Sequence, residues 1–259
     1  MKVYFIGAGP GAHDLITVRG AEILKCVPMV LYAGSLVPPQ ILCYCRGDAE
    51  LLDTASLNLD EQESCYCRAQ AQGWDVARLH SGDPAIYGAT AEQMRRLDRL
   101  GIDYEVVPGV PSFTAAAAVL TCELTKPNVS QTIILTRVSG RASPVPERES
   151  LSELARSGAT LCIFLSGAHL KRIVADLKHH YPDETPLALV YRATWPDQRM
   201  HRSTLGKLLS EVNVSDWKLT TLLLVGPVLA EDRGTESRLY AADYRHLFRG
   251  RRQRQGKRT

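Results

Sequence analysis

The chain opens with Lys2-Val3-Tyr4-Phe5-Ile6-Gly7-Ala8-Gly9-Pro10-Gly11, an apolar run leading straight into three glycines. Such a run is a buried strand whose C-terminal end presents backbone N–H groups to a small ligand, the arrangement of ligand-binding α/β sheets. Pro10 narrows the choice of ligand. Proline fixes φ and has no N–H, so the loop lacks a donor that dinucleotide-binding folds direct at pyrophosphate. Gly7, Gly9 and Ala12 satisfy G-x-G-x-x-G/A, but the second apolar run, 28–33, ends in Gly34-Ser35. A nicotinamide site needs a ribose-binding acid there. A plain tight turn is the alternative reading of these glycines.

Strand-like runs at 3–6, 29–32, 76–79 and 104–107 alternate with helical patterns, which predicts an α/β layout. Thr90 and Gln93 fit a capping box; Met94, Leu97 and Leu100 share a face, and Gly101 supplies a stop. Just before that helix lies His80-Ser81-Gly82-Asp83-Pro84-Ala85-Ile86-Tyr87-Gly88, which fixes a carboxylate at a strand's C-terminal end. Asp83 is read either as a ligand contact or as the capping residue of a proline turn. A third loop, Val106-Val107-Pro108-Gly109-Val110-Pro111-Ser112-Phe113, leads into a helix over 114–120 with four alanines. Those small residues permit close approach of a ligand or tight packing on a sheet.

The 259 residues, 45% apolar, can fill one large core or two of about 120 residues, and two domains are expected. No stretch nears the roughly 18 apolar residues of a membrane span and no secretory signal is visible, so a cytoplasmic enzyme is expected. Net charge is +3, but of 31 Lys/Arg seven fall in 245–259, leaving 24 against 28 acids, a body at −4. The basic tail reads as a solvated terminus rather than a nucleic-acid arm, since it has no interleaved aromatics after Phe248.

Seven cysteines, an odd number, suit a reducing compartment. Cys26, Cys122 and Cys162 lie in apolar surroundings and are expected in the core. Cys43-Tyr44-Cys45 and Cys65-Tyr66-Cys67 could offer four thiolates, but their spacing is not that of a zinc turn, and no metal is expected. The histidines lack H-x-x-x-H and H-E-x-x-H spacing; only His80, beside Asp83, is singled out. A serine hydrolase would need G-x-S-x-G, yet Phe164 stands in the first glycine's place around Ser166.

The three loops together resemble the tetrapyrrole methylases, S-adenosylmethionine-dependent enzymes that methylate the corrin precursor ring. The marks are Gly7-Ala8-Gly9-Pro10-Gly11 with Asp14-Leu15-Ile16-Thr17, then Gly82-Asp83-Pro84, then Val107-Pro108-Gly109-Val110-Pro111-Ser112, and the likeness runs from about residue 2 to 228. Residues 31–37, 131–137 and 190–197 are similar to one subgroup of the family. Ala12-His13 departs from the acid and proline usual in the first loop.

The resemblance implies two unequal α/β domains, 1–120 and 121–232, with the cofactor cleft between them, a link at Glu123-Leu124-Thr125-Lys126-Pro127, and a basic, disordered tail at 233–259. It carries contacts to S-adenosylmethionine onto Pro10, Gly82, Asp83, Ile86, Ser112, Leu165, Ala193 and Leu222. Asp83 is also the catalytic candidate, as an acid that orients the cofactor or steadies charge without being an obligate base. A tetrapyrrole substrate with acetate and propionate arms calls for cations, for which Arg137, Lys126, Arg141 and Arg192 are candidates against the alternative of solvated surface charge. A homodimer is implied, with neither nucleic-acid nor membrane partner. The competing functions are a sibling methylase acting at another ring carbon and, further off, a nicotinamide oxidoreductase.

Overall fold

The computed structural model describes residues 1–140 and 144–230, with 237, 238, 241, 244, 245 and 247 beyond them. Arg141 and most of the expected tail lie outside the described residues.

Strands β1 (Lys2–Gly7), β2 (Met29–Tyr32), β3 (Glu50–Asp53), β4 (Val76–His80) and β5 (Asp103–Val107) form a parallel sheet in the order β3-β2-β4-β1-β5. Parallel neighbours need crossovers, and α1 (Val18–Leu24), α2 (Leu59–Gln72) and α3 (Thr90–Leu100) provide three of the four, while a 3-10 helix over Pro39–Tyr44 lies in the connection from β2 to β3. Helices on both faces bury the middle of the sheet, so β4 has no exposed residue. Ala21 and Leu24 of α1 cover one face with Ile41, and Tyr66, Ala69 and Leu97 of α2 and α3 cover the other. All five strands point the same way, so the loops after β1, β4 and β5 emerge at one edge.

After α4 (Ser112–Val119) the chain builds a second sheet from β6 (Ile133–Arg137), β7 (Thr160–Phe164), β8 (Pro186–Tyr191), β9 (Arg199–Thr204) and β10 (Thr221–Val225). Its order is β6-β7-β10-β8-β9, with β6–β7 parallel and the other pairs antiparallel. The period of two is plain in β10: Leu222 and Leu224 face one core, Leu223 and Val225 the other. Helices α5 (Leu151–Ala155) and α6 (Leu170–Leu177) cover one face, where α6 buries Leu170, Ile173, Val174 and Leu177. That i, i+3, i+4, i+7 stripe is worth roughly 1.5–3 kcal/mol per side chain. The opposite face takes the alanines of α4: Ala115, Ala116 and Ala117 pack with Cys162, Ala188 and Leu224. Their small size thus serves helix–sheet packing.

The α/β class is as expected, but several local expectations are not met. Thr90 and Gln93 make no capping box, because the Thr90 hydroxyl donates to the Pro84 carbonyl and the Gln93 side-chain oxygen accepts from Arg78. The capping box of the first sheet's helices is at Asn58 and Glu61, ahead of α2. Cys162 is buried and Cys122 half-buried, but Cys26 is exposed, because it lies just past the end of α1. The two C-x-C pairs lie against opposite faces of the first sheet, Cys45 on one and Cys65 on the other. Among the described residues no three His, Cys, Asp or Glu converge as a metal site, and no helix is long and apolar enough to cross a membrane.

Candidate active site

Three glycine loops meet at the carboxyl edge of the first sheet. Ala8 N–H donates to His80 O at 2.7 Å, and Gly9 and Gly82 exchange N–H···O bonds at 3.2 and 2.8 Å. The Asp83 carboxylate joins the second loop to the third. One oxygen accepts from Ala85 N–H at 2.7 Å and the other from Gly109 N–H at 2.9 Å. Charge-assisted bonds of this kind are among the stronger ones a protein makes. Asp83 therefore acts first as a brace that sets the distance between two loops. Gly109 is glycine because a Cβ there would run into Gly82 O and Gly7 Cα.

Below the brace, His80 is 94% buried and its Nε2 has no hydrogen-bond partner among the described residues. Burial first, and then the charge of Arg78, hold its pKa down to about 3, against a hydrogen bond to the Gly88 backbone that favours protonation. A neutral, buried imidazole is no proton shuttle near neutral pH. Arg78 is itself buried and held by neutral oxygens, Gln93 Oε1 at 3.1 Å and Thr54 Oγ1 at 3.0 Å.

The cleft between the two sheets brings together Pro10, Gly82, Asp83, Ile86, Ser112, Leu165, Ala193 and Leu222 as lining residues of one cavity. All eight of the expected cofactor positions are in that group. The sequence reading missed Leu36, Tyr87, Phe164, Trp195 and Thr220, which line it as well. Leu36, Tyr87 and Leu165 are 44%, 50% and 66% exposed, so apolar surface faces the opening. Tyr87 reaches the second sheet's Phe164 edge-on at 5.1 Å between ring centres. No glycine marked these positions, and an exposed leucine carries no signal in a sequence.

The expected substrate cations are scattered. Only Arg192 lines the cavity; it pairs with Asp197 at 2.6 Å and lies 3.8 Å over the Trp195 ring. Lys126 is buried, with Nζ donating to Ala230 O at 3.2 Å. Arg137 donates to the backbone oxygens of Val138 and Pro144 at 3.4 Å. Arg141 is outside the described residues. The hydroxyl of Ser166, the hydrolase candidate, is buried and donates to Thr221 O at 3.2 Å.

A parallel sheet with glycine loops at its carboxyl edge, closed over by a second sheet, defines an α/β protein with a cavity of mixed polar and apolar lining in the cleft between its two sheets. The comparisons with known proteins make the class specific: residues 2–209 match the model of the Tetrapyrrole (Corrin/Porphyrin) Methylases, and the chain belongs to that family. It is 51% identical over 249 residues to a precorrin-4 C(11)-methyltransferase of Pseudomonas aeruginosa, covering 96% of this chain and 99% of that one. Among solved structures it resembles the cobalt precorrin-4 methyltransferase CbiF, with a TM-score of 0.85 and 42% identity over 88% of this chain and 96% of the other. A uroporphyrin-III C-methyltransferase of Thermus thermophilus, solved with S-adenosylhomocysteine, matches at a TM-score of 0.75 and 27% identity over 88% of this chain and 93% of that one.

Proposed function

We propose that this chain transfers the methyl group of S-adenosylmethionine to C-11 of precorrin-4 or cobalt-precorrin-4 in cobalamin biosynthesis. The observation that carries the reading is the convergence of the eight expected positions on one cavity between the two sheets. Similarity over nearly the whole chain to enzymes named for C-11 supports that carbon over the other ring positions.

The lining suits the donor. Ile86, Ala193, Leu165 and Leu222 offer apolar walls for an adenine ring, and the glycine loops offer main-chain polar groups for the amino-acid end. When bound, S-adenosylmethionine supplies a sulfonium-activated methyl and departs as a neutral thioether. The protein's part is then to orient: Asp83 holds the loops at their working distance, and Leu165 and Tyr87 shield the opening from water. Orientation alone can lower such a barrier by roughly 7–11 kcal/mol. The nucleophile is a carbon of the macrocycle, so no side chain has to be alkylated. Of the cation candidates, Arg192 at the cavity is the best placed to meet substrate carboxylates. We also infer two units, 1–120 and 121–232, and a cytoplasmic homodimer, for which sedimentation is the check.

The test is incubation with methyl-labelled S-adenosylmethionine and each pathway intermediate, followed by NMR of the product. Label at C-11 is expected; label at another ring carbon would assign the chain to a sibling activity.

A further inference from the structure

The loop between β8 and β9, residues 192–198, crosses from the second sheet to the first glycine loop. Trp195 Nε1–H donates to Pro10 O at 2.9 Å, and Ala12 N–H donates to Thr194 Oγ1 at 2.9 Å. The fit is close: a Cβ on Gly11 would collide with the indole Cδ1 and would stand 2.8 Å from both Ala193 O and Thr194 Oγ1. The hook is stiffened from behind. The Arg192 guanidinium lies over the indole at 3.8 Å, Asp197 holds that guanidinium at 2.6 Å, and Thr194 N–H donates to Gln198 Oε1 at 2.7 Å. Arg192 and Thr194 keep φ values of 47° and 68°, a conformation that L-residues hold only where their surroundings enforce it.

Pro10 makes this contact informative. Its ring fixes φ, so one hydrogen bond to its carbonyl sets the orientation of the peptide that forms one wall of the cavity. The opposite wall includes Ala193, from the hook itself. The same loop thus both lines the second-sheet side of the cleft, through Arg192, Ala193 and Trp195, and ties it to the first.

We propose that Trp195 is a positioning residue: by holding the Pro10 carbonyl it clasps the two sheets at the width the methyl donor requires. The inference rests on the donor-binding reading above. Gly11 and Thr194 are parts of the same clasp, and Tyr87–Phe164 is the looser contact that joins the two sheets elsewhere at the cavity.

The test uses the full chain, with calorimetric titration of S-adenosylhomocysteine and steady-state kinetics in donor and in macrocycle. Trp195→Phe keeps an aromatic ring and loses the N–H. Loss of one such hydrogen bond corresponds to roughly a three- to tenfold weaker Kd, with donor KM rising in step and macrocycle KM unchanged. A merely structural defect would lower kcat through the folded fraction and leave both KM values alone. Thr194→Val, which removes the acceptor at almost constant shape, should raise donor KM about threefold, and Thr194→Ser should restore it. If wild type binds S-adenosylhomocysteine and both Trp195→Phe and Thr194→Val bind it equally well, the clasp is wrong while the methyl-donor reading stands. If wild type itself takes up none, the donor reading falls and the clasp with it.

Discussion

On the first-sheet side of the cleft the loops meet backbone to backbone: Gly7 and Gly109 are so close that neither could carry a side chain, and Gly82 keeps φ at 66°. On the second-sheet side, Leu165, Arg192 and Thr220 line the same cavity with φ values of 51°, 47° and 49° and keep their side chains. Where its loops touch, the first-sheet half uses the residue that adopts close or left-handed geometry without strain, and Tyr87 at φ 51° is its exception at the cavity. The second-sheet half accepts about 1–3 kcal/mol of strain per position and keeps a side chain at the cavity. One wall is built for proximity and the other for shape, so substitutions should act on the two in opposite directions.

The largest effect should come from Gly109→Ala. Its Cβ would meet the Gly82 carbonyl and Gly7 Cα, both backbone and neither able to rotate away. Overpacking against rigid neighbours should cost about 3 kcal/mol or more in urea unfolding. Gly47→Ala, with nothing within 4 Å, is the control and should change stability by less than about 0.5 kcal/mol. Equal stability of the two variants would break the description of the first wall.

Next comes acid sensitivity. The folded chain keeps His80 neutral down to about pH 3, against an ordinary value of 6.5. Below pH 6.5 the unfolded chain therefore binds a proton that the folded one refuses, and stability is lost as pH falls from there toward 3. At about 1.4 kcal/mol per pH unit, this one group should cost roughly 2 kcal/mol between pH 7.5 and 5. His80→Gln should flatten that part of the urea-midpoint profile. A profile as steep as wild type would mean that the acid sensitivity arises elsewhere.

The two walls also differ in how readable they were. Glycine and proline carry their geometry in their names, so the loops after β1, β4 and β5 and the stop at Gly101 stand out of the sequence, and Gly101 indeed ends α3 at φ 64°. Thr90 and Gln93 show the limit of spacing: both have the right chemistry for a box, but a buried guanidinium and a nearby carbonyl compete for the same groups and win. Strand β9 reads Arg-Met-His-Arg-Ser-Thr, polar because it sits at the sheet edge and pairs with β8 alone, so no apolar run announces it. Nothing about Leu165 or Thr220 signals a left-handed backbone, since that conformation is imposed by tertiary contacts. The positions in the second wall came from family resemblance, residue by residue, and not from any local pattern.

A smaller effect is expected for the brace. Asp83→Asn keeps one carbonyl oxygen but turns an amide donor toward either Ala85 N–H or Gly109 N–H. Loss of one charge-assisted bond should cost about 1.5 kcal/mol, with donor affinity and turnover falling together. Turnover abolished with both affinities intact would give Asp83 a direct part in the chemistry and separate it from the rest of its wall.

The smallest effect should run the other way. Leu165 is 66% exposed and holds φ at 51°, so replacing it with glycine removes strain while giving up little buried surface. The relief of about 1–2 kcal/mol is partly offset by the freedom glycine gains when unfolded, which leaves a net stabilisation of about 0.5–1 kcal/mol. Donor affinity should drop by a few fold, because an apolar wall of the cavity is gone. A gain in urea midpoint together with a weaker calorimetric Kd would show strain held for the sake of the ligand. A loss in midpoint would mean that the Leu165 side chain supports the fold after all, and the contrast between the walls would then rest on Arg192 and Thr220 alone.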